Sequence, residues 1–138
     1  ALYFSAGTGT NGRELWKTDG TEAGTVMVKD INTGPSFSSN PAGFTVFGGA
    51  LYFRANDDIH GNELWKTDGT TDGTAMLKDI NLTIGTNSYP FDFTIVNGEL
   101  LFFADDDVSG GELWKTDGTE AGTVMVKDIC PGPCDGID

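Results

Sequence analysis

The stretch Glu14-Leu15-Trp16-Lys17-Thr18-Asp19-Gly20-Thr21 returns unchanged from Glu63 to Thr70 and again from Glu112 to Thr119. The copies stand 49 residues apart (14 to 63, 63 to 112). Around this octapeptide the identity runs on: Glu14 to Ile31 equals Glu112 to Ile129, and the middle copy departs at Thr71, Asp72, Ala75 and Leu77. Upstream, Ala1-Leu2-Tyr3-Phe4 aligns with Ala50-Leu51-Tyr52-Phe53 and with Glu99-Leu100-Leu101-Phe102, and Pro41 and Phe44 align with Pro90 and Phe93. Such a period is the mark of a repeat architecture, in which one unit cannot bury its faces alone. The units are read as 1–49, lacking its first strand, 50–98, and 99–138, which is cut short.

Each unit divides into four strand-like pieces. In the middle one these are Phe44–Phe47, Leu51–Ala55, Glu63–Asp68 and Thr74–Ile80, with Gly48-Gly49 as a tight hairpin signal between the first two. The Asp-Gly of each octapeptide marks the turn between the third and fourth. Longer links rich in Gly, Pro, Ser and Asn, at 32–43 and 81–92, join the units, and no helical apolar stripe is present. Strand alternation puts Leu15 and Lys17 on one face and Glu14, Trp16 and Thr18 on the other. In the fourth strand it puts Val26 and Val28 on one face, and Met27 and Ile31 on the other. Both faces carry large apolar groups, as expected of an all-β array of antiparallel four-stranded blades, each sandwiched between neighbours as in a β-propeller.

The pattern Gly-Gly-Ala-Leu-Tyr-Phe at 48–53, followed by Glu63-Leu64-Trp65 and Asp68, resembles a kelch blade, whose repeat is also about 50 residues. More specifically, Glu-Leu-Trp-Lys-Thr-Asp-Gly-Thr followed by Gly-Thr and Val-Lys-Asp-Ile resembles the bacterial secreted and surface proteins named for their ELWxxDGT repeats. That resemblance spans essentially the whole chain. It implies an extracellular or cell-surface repeat array and supplies no catalytic residues.

The chain has 138 residues and a formal net charge of -13, which disfavours nucleic acid and anionic lipid as partners. Its apolar runs are far shorter than the roughly 18 residues a membrane helix needs. The opening Ala1-Leu2-Tyr3-Phe4 reads as the inside of a strand, so a processed chain or a piece of a longer one is expected. Three blades fall short of the four to eight that usually close a propeller. Either the chain is part of a longer propeller, or copies associate; homo-oligomerisation by head-to-tail contacts, giving a ring or a filament, is the expectation.

Candidate site residues follow the repeat. Trp16, Trp65 and Trp114 read as interblade core, with stacking platforms for glycans as the alternative. Asp19, Asp68 and Asp117 read as turn caps, or as single calcium ligands. Asp30, Asp79 and Asp128 are expected to turn inward and accept backbone amides of a neighbouring blade. Asp57, Asp58, Asp105, Asp106 and Asp107 gather hard oxygen ligands for calcium in the loops between second and third strands. The first unit carries Gly7-Thr8-Gly9 there instead, which argues for solvated loops. Cys130 and Cys134 flank Pro131-Gly132-Pro133 as a plausible small disulfide, and they are too few for zinc. Asn81-Leu82-Thr83 is an acceptor sequon for N-glycosylation, and the link Ser36 to Asn40 is a second place for sugars. His60 is the one histidine, and no serine–histidine–acid pattern, phosphate loop or HExxH run occurs. The function expected is structural and interactive, without catalysis. A carbohydrate-binding module and an accessory domain of a larger secreted enzyme are the alternatives.

Overall fold

The computed structural model describes residues 1–132, Cys134 and Gly136. Among them there is no helix, so none is long and apolar enough to cross a membrane. The chain is all-β and forms three antiparallel sheets. The first, in order β1-β2-β3, comprises β1 (Leu2–Thr8), β2 (Gly12–Thr18) and β3 (Val26–Lys29). The second, β4-β5-β6-β7, comprises β4 (Ala42–Phe47), β5 (Ala50–Asn56), β6 (Asn62–Thr67) and β7 (Ala75–Lys78). The third repeats that order with β8 (Phe91–Val96), β9 (Glu99–Asp105), β10 (Gly111–Thr116) and β11 (Val124–Lys127). Each sheet is a meander of neighbouring strands, and the second and third begin before residues 50 and 99.

Local chemistry sets the hairpins. Gly48 and Gly49 both have positive φ (56° and 83°), joining Phe47 to its partner Ala50. A two-residue loop of this hand matches the right-handed twist of the flanking strands. The third sheet solves the same problem with Asn97 and Gly98, at 52° and 82°.

Two apolar layers lie between successive sheets. Leu15, Val28 and Ile31 of the first sheet meet Leu51, Phe53, Ala55 and Trp65 of the second. Tyr52, Leu64, Leu77 and Ile80 of the second meet Leu100, Phe102, Ala104 and Trp114 of the third. Each sheet thus has a rear face, bearing Trp, and a forward face, bearing the Leu beside it. Full burial of such side chains contributes about 1.5–3 kcal/mol each, and Leu15, Phe53, Leu64, Leu100 and Phe102 are completely covered.

One expected alternation fails. Ile31 shares its layer with Val28, not the face of Met27. The register slips between Leu15 and Trp16 where β2 pairs β3, and the same slip recurs at Leu64/Trp65 and Leu113/Trp114. A bulge opposes two residues to one and resets the count of faces beyond it. The strand therefore delivers both Val28 and Ile31 forward.

Candidate functional site

The octapeptide and the strand after it build two devices in every sheet and a third at each junction between sheets. The first is a latch. Glu14, Glu63 and Glu112 have no exposed surface. Glu63 Oε2 accepts the Ile80 N–H at 2.8 Å and the Ser88 hydroxyl at 2.6 Å, while Oε1 accepts the Ser88 N–H at 2.9 Å. Glu14 does the same with Ile31 (2.8 Å) and Ser39 (3.0 Å to the amide). Glu112 takes the amides of Ile129 at 3.1 Å and Cys130 at 3.2 Å. Neither ion pair among the described residues involves these carboxylates. Burial pushes Glu63 up to about 7, against the lowering effect of its Ser88 and Ile80 bonds, and it raises Glu14 for the same reason.

The second device is the turn. Asp19 Oδ1 accepts the Thr21 hydroxyl at 2.7 Å and its N–H at 2.9 Å, and Thr21 Oγ1 accepts the Gly24 N–H. Asp68 and Asp117 repeat this with Thr70 and Thr119. The bonds from these threonines hold all three carboxyls below the ordinary aspartate range. Behind each turn two threonine hydroxyls meet, as in Thr67–Thr74 at 2.6 Å.

The third device joins sheets. Lys17 Nζ donates to the Gly69 carbonyl at 2.7 Å, and Lys66 Nζ to the Gly118 carbonyl at 2.8 Å. Lys29 Nζ reaches the Thr74 carbonyl at 2.7 Å, and Lys78 Nζ the Glu120 carbonyl at 3.4 Å. The turn of each following sheet is therefore held by lysines of the sheet before it. Tyr3 and Tyr52 lie with their hydroxyls against Gly69 and Gly118, whose φ values are 92° and 95°. A side chain at either glycine would collide with that hydroxyl.

The outer faces repeat most of the residues of the inner ones without a neighbouring sheet. Leu2, Phe4, Ala6 and Trp16 on the first sheet repeat Leu51, Phe53, Ala55 and Trp65 one for one. Leu2 is 66% exposed where Leu51 is 6%. On the third sheet Val126 and Ile129 are 47% and 51% exposed, against 7% and 4% for Leu77 and Ile80.

The remaining candidates fall as follows. Trp65 and Trp114 lie in the two apolar layers, and Trp16 is half-buried on the outer rear face. The indole N–H of each has no hydrogen-bond partner among the described residues. Asp30 does not bond amides of the next sheet: its Oδ2 accepts the Asn11 side-chain amide at 2.7 Å within its own sheet. The Oδ1 atoms of Asp30, Asp79 and Asp128 are buried and have no partner among the described residues. The amide-gathering role expected of these aspartates belongs to the glutamates, because the links return over the third strand instead of the fourth.

The acidic loops turn their oxygens on themselves. Asp57 Oδ1 accepts the amides of Ile59 and His60, and Oδ2 pairs with His60 Nδ1 at 2.7 Å. Asp106 Oδ1 takes the amides of Val108 and Ser109, and Asp105 Oδ1 that of Asp107. Asp58 and Asp107 stand exposed in the left-handed region, at φ 67° and 63°. Burial raises Asp57, but its bonds to His60 outweigh that and hold it low, while the Asp57 carboxylate raises His60. Among the described residues no three His, Cys, Asp or Glu side chains converge to hold a metal ion.

Asn81 is 4% exposed, donates to the Asn87 carbonyl and accepts the Thr86 hydroxyl at 2.6 Å. The folded link therefore buries this residue and engages its amide nitrogen in a hydrogen bond. In the link 36–40, Ser39 is buried against Glu14 while Ser36 and Asn40 are exposed. Cys130, which takes the place of Asn32 and Asn81 in the third unit, is disulfide-bonded to Cys134. Pro133, between the two cysteines, is outside the described residues.

Sequence reasoning missed the glutamate latch and the lysine pegs. The signal was present in the invariance of Glu and Lys at 14, 63, 112 and at 17, 66, 115. No family model matches the chain, and no curated protein or solved structure matches it.

Proposed function

We propose that the chain is an extracellular structural and interaction module whose sheets are propeller-type blades, and that copies associate head to tail through their outer faces. One observation carries this reading. The rear face Leu-x-Phe-x-Ala with Trp is the same in all three sheets, and two of the three copies are buried against a preceding forward face. On the first sheet the third copy is not packed in either apolar layer: Leu2 is exposed, and Phe4, Ala6 and Trp16 are only partly covered. An apolar face of that shape is satisfied by a blade bearing Leu, Val and Ile, and the third sheet offers Leu113, Val126 and Ile129. The contact is heterologous, so it closes to a ring or continues as a filament. Two copies would supply six blades, within the usual range of a closed propeller. The resemblance to ELWxxDGT proteins supports the extracellular setting. The role we infer is binding and scaffolding without catalysis, since Glu14, Glu63 and Glu112 hold links and Asp19, Asp68 and Asp117 hold turns.

The test is sedimentation velocity across a hundredfold range of concentration, followed by electron microscopy of the associated fraction. Rings or filaments that dissociate on dilution are expected. A single monomer boundary at every concentration overturns the reading.

A further inference from the structure

The forward face of the third sheet is not a plain copy of the internal ones. In the first junction Ala1 lines a hollow with Tyr3, Lys17, Asp19 and the incoming turn Asp68-Gly69-Thr70. Its equivalent in the second unit is Ala50, and in the third it is Glu99. The consequence falls on the peg. Lys17 and Lys66 bond the turn carbonyls of the next sheet, whereas Lys115 Nζ is bound to Glu99 Oε1 at 2.7 Å within its own sheet. Both partners are substantially exposed.

The turn that a second copy would bring to this face is Asp19-Gly20-Thr21-Glu22, with two exposed carboxylates. Seated in the register of the internal junctions, Gly20 would stand where Gly69 and Gly118 stand. Lys115 would have to leave Glu99 to reach the Gly20 carbonyl. Glu99, at the position of Ala1, would then lie beside Asp19, a like charge. Both effects weaken the same contact.

We propose that Glu99 sets the strength of chain-to-chain association, holding back Lys115 and repelling the Asp19 turn so that this junction is weaker than the two inside the chain. The inference rests on the head-to-tail reading above and concerns the same faces. Its partner is a second copy of this chain, because Lys115, Lys127, Leu113 and Ile129 repeat the residues that hold the internal junctions, although Leu101 stands where those junctions have Tyr3 and Tyr52. Exposed charge pairs have modest effects, so replacing Glu99 with the alanine found at 1 and 50 tightens association about three- to tenfold. Added salt narrows that difference.

Sedimentation equilibrium of wild type, Glu99→Ala, Lys115→Met and the double variant tests it, with thermal melting as a check that each is folded. Glu99→Ala is expected to associate more tightly than wild type, and Lys115→Met more weakly. The double variant should show a smaller gain from losing Glu99, because only repulsion remains to be relieved. If Glu99→Ala associates no more tightly than a wild type that does associate, the gating role is wrong and the head-to-tail reading stands. If neither protein associates at any concentration, both are wrong. If Glu99→Ala associates while wild type stays monomeric at every concentration, the gating role is supported and the head-to-tail reading of the wild-type chain is overturned.

Discussion

The carboxylate of Glu63 holds Ser88 twice, accepting its N–H at 2.9 Å and its hydroxyl at 2.6 Å across 25 residues of chain. With Ile80 as a third donor, this one side chain fixes where the second sheet ends and the link to the third begins. Replacing Glu63 with Ala takes the acceptor from the Ile80 amide, leaves Ser88 with the Asn62 carbonyl alone, and opens a cavity. Unpaired buried groups cost about 1–3 kcal/mol each. Glu63→Ala is therefore expected to lower stability by about 3 kcal/mol or more, with Glu63→Gln retaining part of the loss, as read from urea denaturation.

The same group gives stability an unusual pH dependence. An ordinary glutamate titrates at 4.5, and burial pushes Glu63 up to about 7. The folded state therefore holds this proton more tightly than the unfolded chain. Its contribution is fully present below pH 4.5 and is lost as pH rises through about 7. The slope approaches about 1.4 kcal/mol per pH unit within that window. Asp57 and the turn aspartates are shifted the other way and lose their contribution only in more acid solution. Denaturation from pH 5 to 8 should show wild-type stability declining, with a shallower decline for Glu63→Gln. Equal slopes would contradict the assignment.

Gly118 combines a φ of 95° with the Tyr52 hydroxyl against its α-carbon and Lys66 on its carbonyl. Alanine there meets both a disfavoured backbone region and a steric collision. Gly118→Ala is expected to cost about 2 kcal/mol. The further change Tyr52→Phe, which removes the colliding oxygen, should restore a measurable part. No rescue in a double-mutant cycle would mean that backbone strain alone is responsible.

Phe102 is completely buried between the second and third sheets, 5.5 Å from Phe93 by ring centroids. Phe102→Ala should destabilise by about 3–5 kcal/mol. Phe4, its equivalent on the outer rear face, is only partly covered. Phe4→Ala should cost the isolated chain clearly less, and a similar penalty at both sites would contradict the distinction between inner and outer faces.

The disulfide between Cys130 and Cys134 closes a loop of sequence separation 4. Loops this short yield roughly 2 kcal/mol in the chain-entropy model. It stands where Asn81 ties its link by hydrogen bonds to Thr86 and Asn87. Reduction should therefore lower the denaturation midpoint modestly without unfolding the chain, and a collapse of all three sheets on reduction would refute that local role.

Much of the architecture was legible in the chain because its determinants are local. Alternation with period two, the Gly48-Gly49 hairpin and the Asp-Gly turns depend on residues one to four apart, and they place strands and reversals without reference to the rest of the molecule. The 49-residue identity adds that three such units share one design. What remained hidden depends on groups far apart in sequence. A strand glutamate carries no sign of its partner in the strand pattern, because the link must fold back to bring Ser39 or Ser88 onto it. Ile31 joins Val28 because a bulge across the sheet changes the face count, which no window along one strand contains. Lys17 meets Gly69 across 52 residues, where only the stacking of whole sheets determines its partner. Hydrogen bonds and like-charge contacts act over a few ångströms of space, whereas sequence patterns report neighbours along the chain. The strands could be read in advance, but the latch, the pegs and the state of Glu99 were decided by tertiary packing.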